Sequence, residues 1–248
     1  MSDVKTLLVV WQDEKSRLYY HIGTLSFYGA YYEFSYTTQN TGQRKLGDAL
    51  AQGYMIHPAF PNTDKAYRST KLFPAFDRRI PSSDRQDFAE ILKDLGLTRD
   101  ASKMEILRAT RGRLAADTYS FEQPLCREED GKLRSSFFIH GMRHQQLPDD
   151  WFAWLKEGDT VKLIQESTNP YDKNAVAVYT QNNKMLGYVP SFYSQAIFSL
   201  LEKNMTYTAR ITYLNEKSHP HWWVKLSYES EMPVEQTVHS QKLVPVMQ

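Results

Sequence analysis

The stretch from Asn174 to Lys203 constrains the fold of this chain more than any other. Ala175-Val176-Ala177-Val178-Tyr179 is apolar at every position. A strand with one wet face alternates polar and apolar residues, and this one does not. Both of its faces must therefore be covered, inside a small barrel or beneath a helix. A cover is encoded just downstream. The polar loop Gln181-Asn182-Asn183 leads to a second strand, "KMLGYVP" (184–190), and then to "SFYSQAIFSLLEK" (191–203). In that last segment Phe192, Ala196, Ile197, Leu200 and Leu201 fall on one helical stripe, with Ser191 placed to cap it.

Upstream, "STNPYDKN" (167–174) reads as a turn. Asn169 and Pro170 suit its opening, because proline presets φ and asparagine bonds to nearby backbone. Tyr171 and Asp172 then occupy the tip, where small residues would suffice. Further short strands are expected at 135–141, 160–166, 205–214 and 221–229, completing a β-rich domain over 131–230. Residues 231–248 show no period and read as a flexible tail.

The first half has its own pattern. "KTLLVVW" (5–11), "YYHIGTLSF" (19–27) and "YYEFSYT" (31–37) predict three strands, two joined as a hairpin across Tyr28-Gly29-Ala30. Residues 42–81 look irregular. Capping boxes at Ser83–Gln86 and Ser102–Glu105 predict two helices. The first presents Phe88, Ile91, Leu92 and Leu95 and stops at Gly96; the second ends near Gly112. "DTYSF" (117–121) predicts a closing strand. The polar break "CREEDGK" (126–132) divides the chain into a domain over 1–125 and another over 131–230.

Charge and composition exclude several functions. The chain carries 30 Lys and Arg against 29 Asp and Glu. Residues 131–230 hold 11 basic and 9 acidic side chains, a difference of +2. A protein that grips long nucleic acid by charge alone is far more basic, so any such contact here must be local and geometric. Cys126 is the only cysteine, which excludes an internal disulfide and a thiolate zinc cluster. Gly-rich phosphate loops, a G-x-S-x-G elbow and a kinase catalytic loop are all missing. His140 and His144, four apart, fall in a strand and its exit, where that spacing does not converge; His219 and His221 lack further ligands. Asp149, Asp150 and Asp159 read as solvated turns or caps. The expectation is a non-catalytic protein without metal or cofactor. The apolar run near the N-terminus is too short for a signal peptide or a membrane span, so a soluble cytoplasmic protein is expected.

"GMRH" (141–144), "LKEGDTVKLIQESTNPYDKNAVAVY" (155–179) and "KMLGYVP" in this order resemble the HIRAN domain. The resemblance implies a small OB- or SH3-like barrel with a covering helix that grips the 3′ end of single-stranded DNA. On that reading Tyr171 offers a stacking face, Arg143 forks onto a phosphate, and Asp172 accepts a hydrogen bond from a terminal 3′-hydroxyl. A continuing phosphodiester would set a second negative charge against Asp172. His144 stands where the family often has tyrosine, and gives a smaller stacking face. Lys173 and Tyr193 are further candidate DNA contacts, while Pro170 and Asn174 shape the turn.

In the first domain "HIGTLSF", "YEFSYT", "HPAFP", "LFPAFDRRIPSSDRQDF" and "RGRLAADTYSF" are similar to the N-terminal β-rich subdomain of HipA-type toxin kinases. The kinase core has no counterpart. The resemblance implies partner binding, to a HipA-type kinase or a repressor, in a bacterial stress, toxin–antitoxin or phage-defence setting. Arg108, Arg111 and Arg113 are candidates for a phosphate or acidic-partner contact there. The expected fold is α+β and β-rich throughout.

Overall fold

Long runs of β-branched and aromatic residues form the first sheet, and short polar loops return the chain on itself. The computed structural model describes residues 6–37, 44–128, 130–218 and 220–232. The chain divides between Gln123 and Pro124 into two compact units.

In unit 1, β1 (Thr6–Gln12), β2 (Tyr19–Phe27), β3 (Tyr32–Tyr36), β4 (Tyr67–Ser69) and β5 (Tyr119–Glu122) make an antiparallel sheet in the order β4-β3-β2-β1-β5. Leu7 and Val9 of β1 join a cluster dominated by Phe34, Phe60, Phe76 and Phe121. Phe34 and Phe60 lie 4.5 Å apart by ring centroid, and Phe76 stands edge-on to Phe121 at 5.1 Å. Burying each such ring contributes about 1.5–3 kcal/mol, so these four rings anchor the unit.

The segment read as irregular contains α1 (Leu46–Ala51), β4 and α2 (Pro74–Asp77). Neither helix has a side-chain cap. They are held by Leu46, Ala49 and Phe76 packing into the core. The first capping box does not form. α3 (Phe88–Asp94) begins after Asp87, whose carboxylate accepts from Arg85 at 2.9 and 2.8 Å. The second box does form at α4 (Lys103–Thr110). Ser102 Oγ accepts the Glu105 amide at 3.2 Å, and Glu105 Oε2 accepts the Ser102 amide at 2.8 Å. Phe73 and Phe76 are both core residues.

His21 on β2 is buried, and burial together with the nearby Lys45 charge lowers its pKa to about 4. The folded state therefore refuses a proton that the unfolded chain accepts near pH 6.5. As pH falls from about 6.5 to about 4 this disfavours folding by up to about 3 kcal/mol. Denaturant titrations of wild type and His21→Gln should show wild type losing stability relative to the variant across that window. A pH-independent difference between the two would contradict this account of His21.

Unit 2 contains β6 (Cys126–Arg127), β7 (Leu133–Phe138), β8 (Lys162–Glu166), β9 (Ala175–Tyr179), β10 (Met185–Tyr188), α5 (Ser191–Glu202), β11 (Tyr207–Leu214) and β12 (Val224–Ser230). They form one sheet in the order β10-β9-β8 and another in the order β11-β12-β7-β6. Isolated bridges His140–Tyr188 and Thr160–Arg210 tie the two sheets. β12 alternates buried and half-buried residues, as a one-sided strand should. β9 does not: Ala175 to Val178 are all buried, and α5 packs against this strand. The polar break is in part a strand, since β6 pairs with β7. Ser191 is the first helical residue and not the cap; Pro190 holds the cap position.

Residues 233–248, where the flexible tail was expected, lie outside the described residues, as do His219 and the side chains of Cys126 and His221. Among the described residues no helix is long and apolar enough to cross a membrane, and no three His, Cys, Asp or Glu side chains converge to hold a metal.

Candidate nucleic-acid interface

Asn169 organises the turn between β8 and β9. Its Oδ1 accepts the Tyr171 amide at 3.0 Å and the Asp172 amide at 3.2 Å, while its Nδ2 donates to Glu166 Oε2 at 2.8 Å. This local bonding is the reason asparagine suits the position. Asp172 closes the turn: its Oδ1 accepts the Asn174 amide at 2.9 Å, and its carbonyl accepts the Ala175 amide at 2.9 Å. The other carboxylate oxygen, Oδ2, accepts the Ser194 hydroxyl of α5 at 2.8 Å. The half-buried carboxylate is thus clamped between turn and helix. A carboxylate has about four lone-pair sites, so two such bonds leave capacity for a ligand donor. Tyr171, beside it, is 77% exposed.

A second limb follows β7. Gly141 takes φ 73°, a left-handed conformation that glycine adopts without strain, and starts a 3₁₀ turn at Met142–His144. Met142 is buried as the anchor, leaving Arg143 and His144 exposed. Arg143 Nε donates to His144 Nε2 at 2.9 Å, which requires the neutral imidazole with its proton on Nδ1.

Tyr188 joins the two limbs. His140 and Tyr188 exchange backbone hydrogen bonds of 2.9 Å each. Gly187 permits this approach, since a Cβ there would lie 2.4 Å from the His140 carbonyl oxygen. The Tyr188 ring edge lies 3.6 Å from where a Cβ on Gly141 would stand. Burial, and then the Glu166 carboxylate, raise its phenol to about 12, so it remains a donor at neutral pH. Glu166 and Asn169 belong to the turn that carries Tyr171 and Asp172. Sequence reading passed over Tyr188; the Gly-Tyr pair ending a buried strand was the available signal.

Tyr193 is corrected. It is fully buried, with its ring 5.2 Å from Phe137 and 4.6 Å from Phe192, because the first turn of α5 faces the core. It cannot meet a ligand. Lys173 is exposed on the turn. His140 is buried and His144 exposed.

In unit 1 the arginine set separates. Arg111 turns inward and is buried, with its Nε donating to Glu122 Oε1 at 2.9 Å and Oε2 at 3.1 Å, so it is no phosphate contact. Arg108 and Arg113 are half-buried. Arg79, also buried, donates to the Gly112 carbonyl at 2.9 Å and pairs with Asp117.

Residues 132–238 match the HIRAN domain family. Among solved structures, the crystal structure of the HIRAN domain of human HLTF is 19% identical, with 40% of this chain and 74% of that chain covered and a TM-score of 0.32. A crystal structure of a protein from Lactobacillus plantarum is 25% identical, with 40% and 97% covered and a TM-score of 0.34. The NMR structure of the HLTF HIRAN domain in its DNA-bound conformation is 18% identical, with 44% and 83% covered and a TM-score of 0.30. No curated protein matches the chain. The similarity of residues 1–125 to the HipA subdomain rests on sequence motifs alone. The match to the HIRAN domain family over residues 132–238 takes in both limbs and the helix behind them.

Proposed function

We propose that unit 2 is a non-catalytic module that binds single-stranded DNA at its 3′-hydroxyl end. The observation that carries this reading is the clamped Asp172 carboxylate beside the 77% exposed Tyr171 ring. A terminal base stacks on Tyr171, a contact open to any base because every base has a π face. The free 3′-hydroxyl donates to Asp172. Arg143, and more weakly Lys173, neutralise phosphates. The HLTF domain of the same family has been solved in a DNA-bound conformation, which favours DNA as the ligand.

Fluorescence polarisation with a short oligothymidylate ending in a 3′-hydroxyl tests the stacking contact. Tyr171→Ala should weaken binding by about tenfold to a hundredfold, since a base–aromatic stack contributes about 1–3 kcal/mol. Thermal unfolding should not change, because the ring buries little. Unchanged affinity in the variant would reject the stacking role.

A further inference from the structure

Arg143, on the limb assigned above to the end site, lines an open groove of about 440 Å³. Trp151 and Trp223 form the groove floor, their ring centroids 5.2 Å apart and tilted by 37°. Trp223 is fixed by its Nε1–H, which donates to the Ser218 carbonyl at 3.0 Å. The walls carry both signs of charge, with Arg143 and Lys217 as cations and Asp149 and Glu216 as anions. The volume falls within the range of small-ligand pockets.

Resting on the end-binding reading, we infer that this groove receives a base upstream of the terminal nucleotide and selects one with an exocyclic amino group. Trp151 is buried and backs the floor, so the half-buried Trp223 supplies the apolar contact for the base. Arg143, shared by both sites, lets one phosphodiester pass between them, and Lys217 holds the next phosphate. Asp149 and Glu216 repel phosphate and accept hydrogen bonds. The ligand group lying against them must therefore be a donor, such as the amine of adenine or cytosine, which thymine lacks. A protein that takes any base at the strand end would on this account read a base a short way inside it.

Polarisation assays with six-nucleotide strands ending in a 3′-hydroxyl test this directly. Adenine replaces thymine at one position at a time. One internal adenine should raise affinity about tenfold, the effect of a hydrogen bond to a charged group. In the double variant Asp149→Ala/Glu216→Ala, made at two exposed positions, affinity for all strands should rise alike as two charges that repel phosphate are lost, while the adenine-over-thymine ratio should fall to one. A flat adenine scan, or a gain that survives in the double variant, overturns the groove assignment. If binding still depends on Tyr171, that result leaves the end site standing. If wild type binds none of the strands, the end-binding reading falls and the groove with it.

Discussion

Replacing Glu122 by alanine is expected to destabilise unit 1 by about 3–5 kcal/mol, the usual cost of leaving one member of a buried ion pair without its partner. The Arg111 and Glu122 side chains are 6% and 7% exposed, so water cannot solvate the stranded guanidinium. Arg111 also sits at φ 56°, where it ends α4 in a left-handed conformation, and its carbonyl accepts the Phe121 amide at 2.9 Å. The pair therefore joins the end of α4 to β5. The double variant Arg111→Met/Glu122→Leu removes both charges and should cost much less, because apolar replacements of similar volume are often near neutral. Amide exchange in β1 and β5 reads the difference. Equal costs for the single and double variants would contradict this account of the pair.

The second large effect is expected at Gly187. An alanine Cβ there would lie 2.4 Å from the His140 carbonyl oxygen and 2.9 Å from Ile139 Cγ2, at a backbone φ of 153°. The nearest atom belongs to backbone and cannot swing aside. Gly187→Ala should cost about 3 kcal/mol from strain and overpacking. It should also part the His140–Tyr188 bridge and weaken oligonucleotide binding. Gly131→Ala is the control, with a positive φ of 80° but no atom within 4 Å of the new Cβ. Its cost should stay near 1 kcal/mol. Four of the five tryptophans lie after residue 150, so fluorescence-detected unfolding reports mainly on unit 2. Similar costs at the two glycines would show that the close approach is not what requires Gly187.

Long, strongly patterned elements were legible in the sequence. The all-apolar β9 announced a strand covered on both faces, and the stripe at 191–203 announced its cover; the observed helix is Ser191–Glu202. Ser102 and Glu105 formed the capping box their spacing implied. Ser83 did not; the helix starts after Asp87, whose carboxylate pairs with Arg85, a contact that spacing alone does not reveal. The short α1, α2 and β4 were missed for a related reason. They have no local signature and exist because Leu46, Ala49, Phe60 and Phe76 need the same core.

At the candidate site the turn residues were legible and the second limb less so. Asn169 bonds within a few residues of itself, which a linear pattern encodes, as does Asp172 through Oδ1 but not through its bond to Ser194. Tyr188 and Tyr193 show the opposite case. Each lies near the junction of β10 and α5, and only the packing of Gly141 beside one and Phe137 against the other decides which ring is half-buried and which is fully buried. Arg111 was placed on the surface for want of its partner Glu122, eleven residues away on β5.

The most direct test of end recognition is the affinity ratio between one strand ending in a 3′-hydroxyl and the same strand ending in a 3′-phosphate, measured for wild type and Asp172→Asn. Wild type should favour the hydroxyl end by about tenfold or more, since the phosphate sets negative charge against a carboxylate. Asp172→Asn, which keeps an acceptor for the Asn174 amide, should bring the ratio close to one. Equal affinity of wild type for the two ends, or a preference unchanged in the variant, would contradict the role assigned to Asp172.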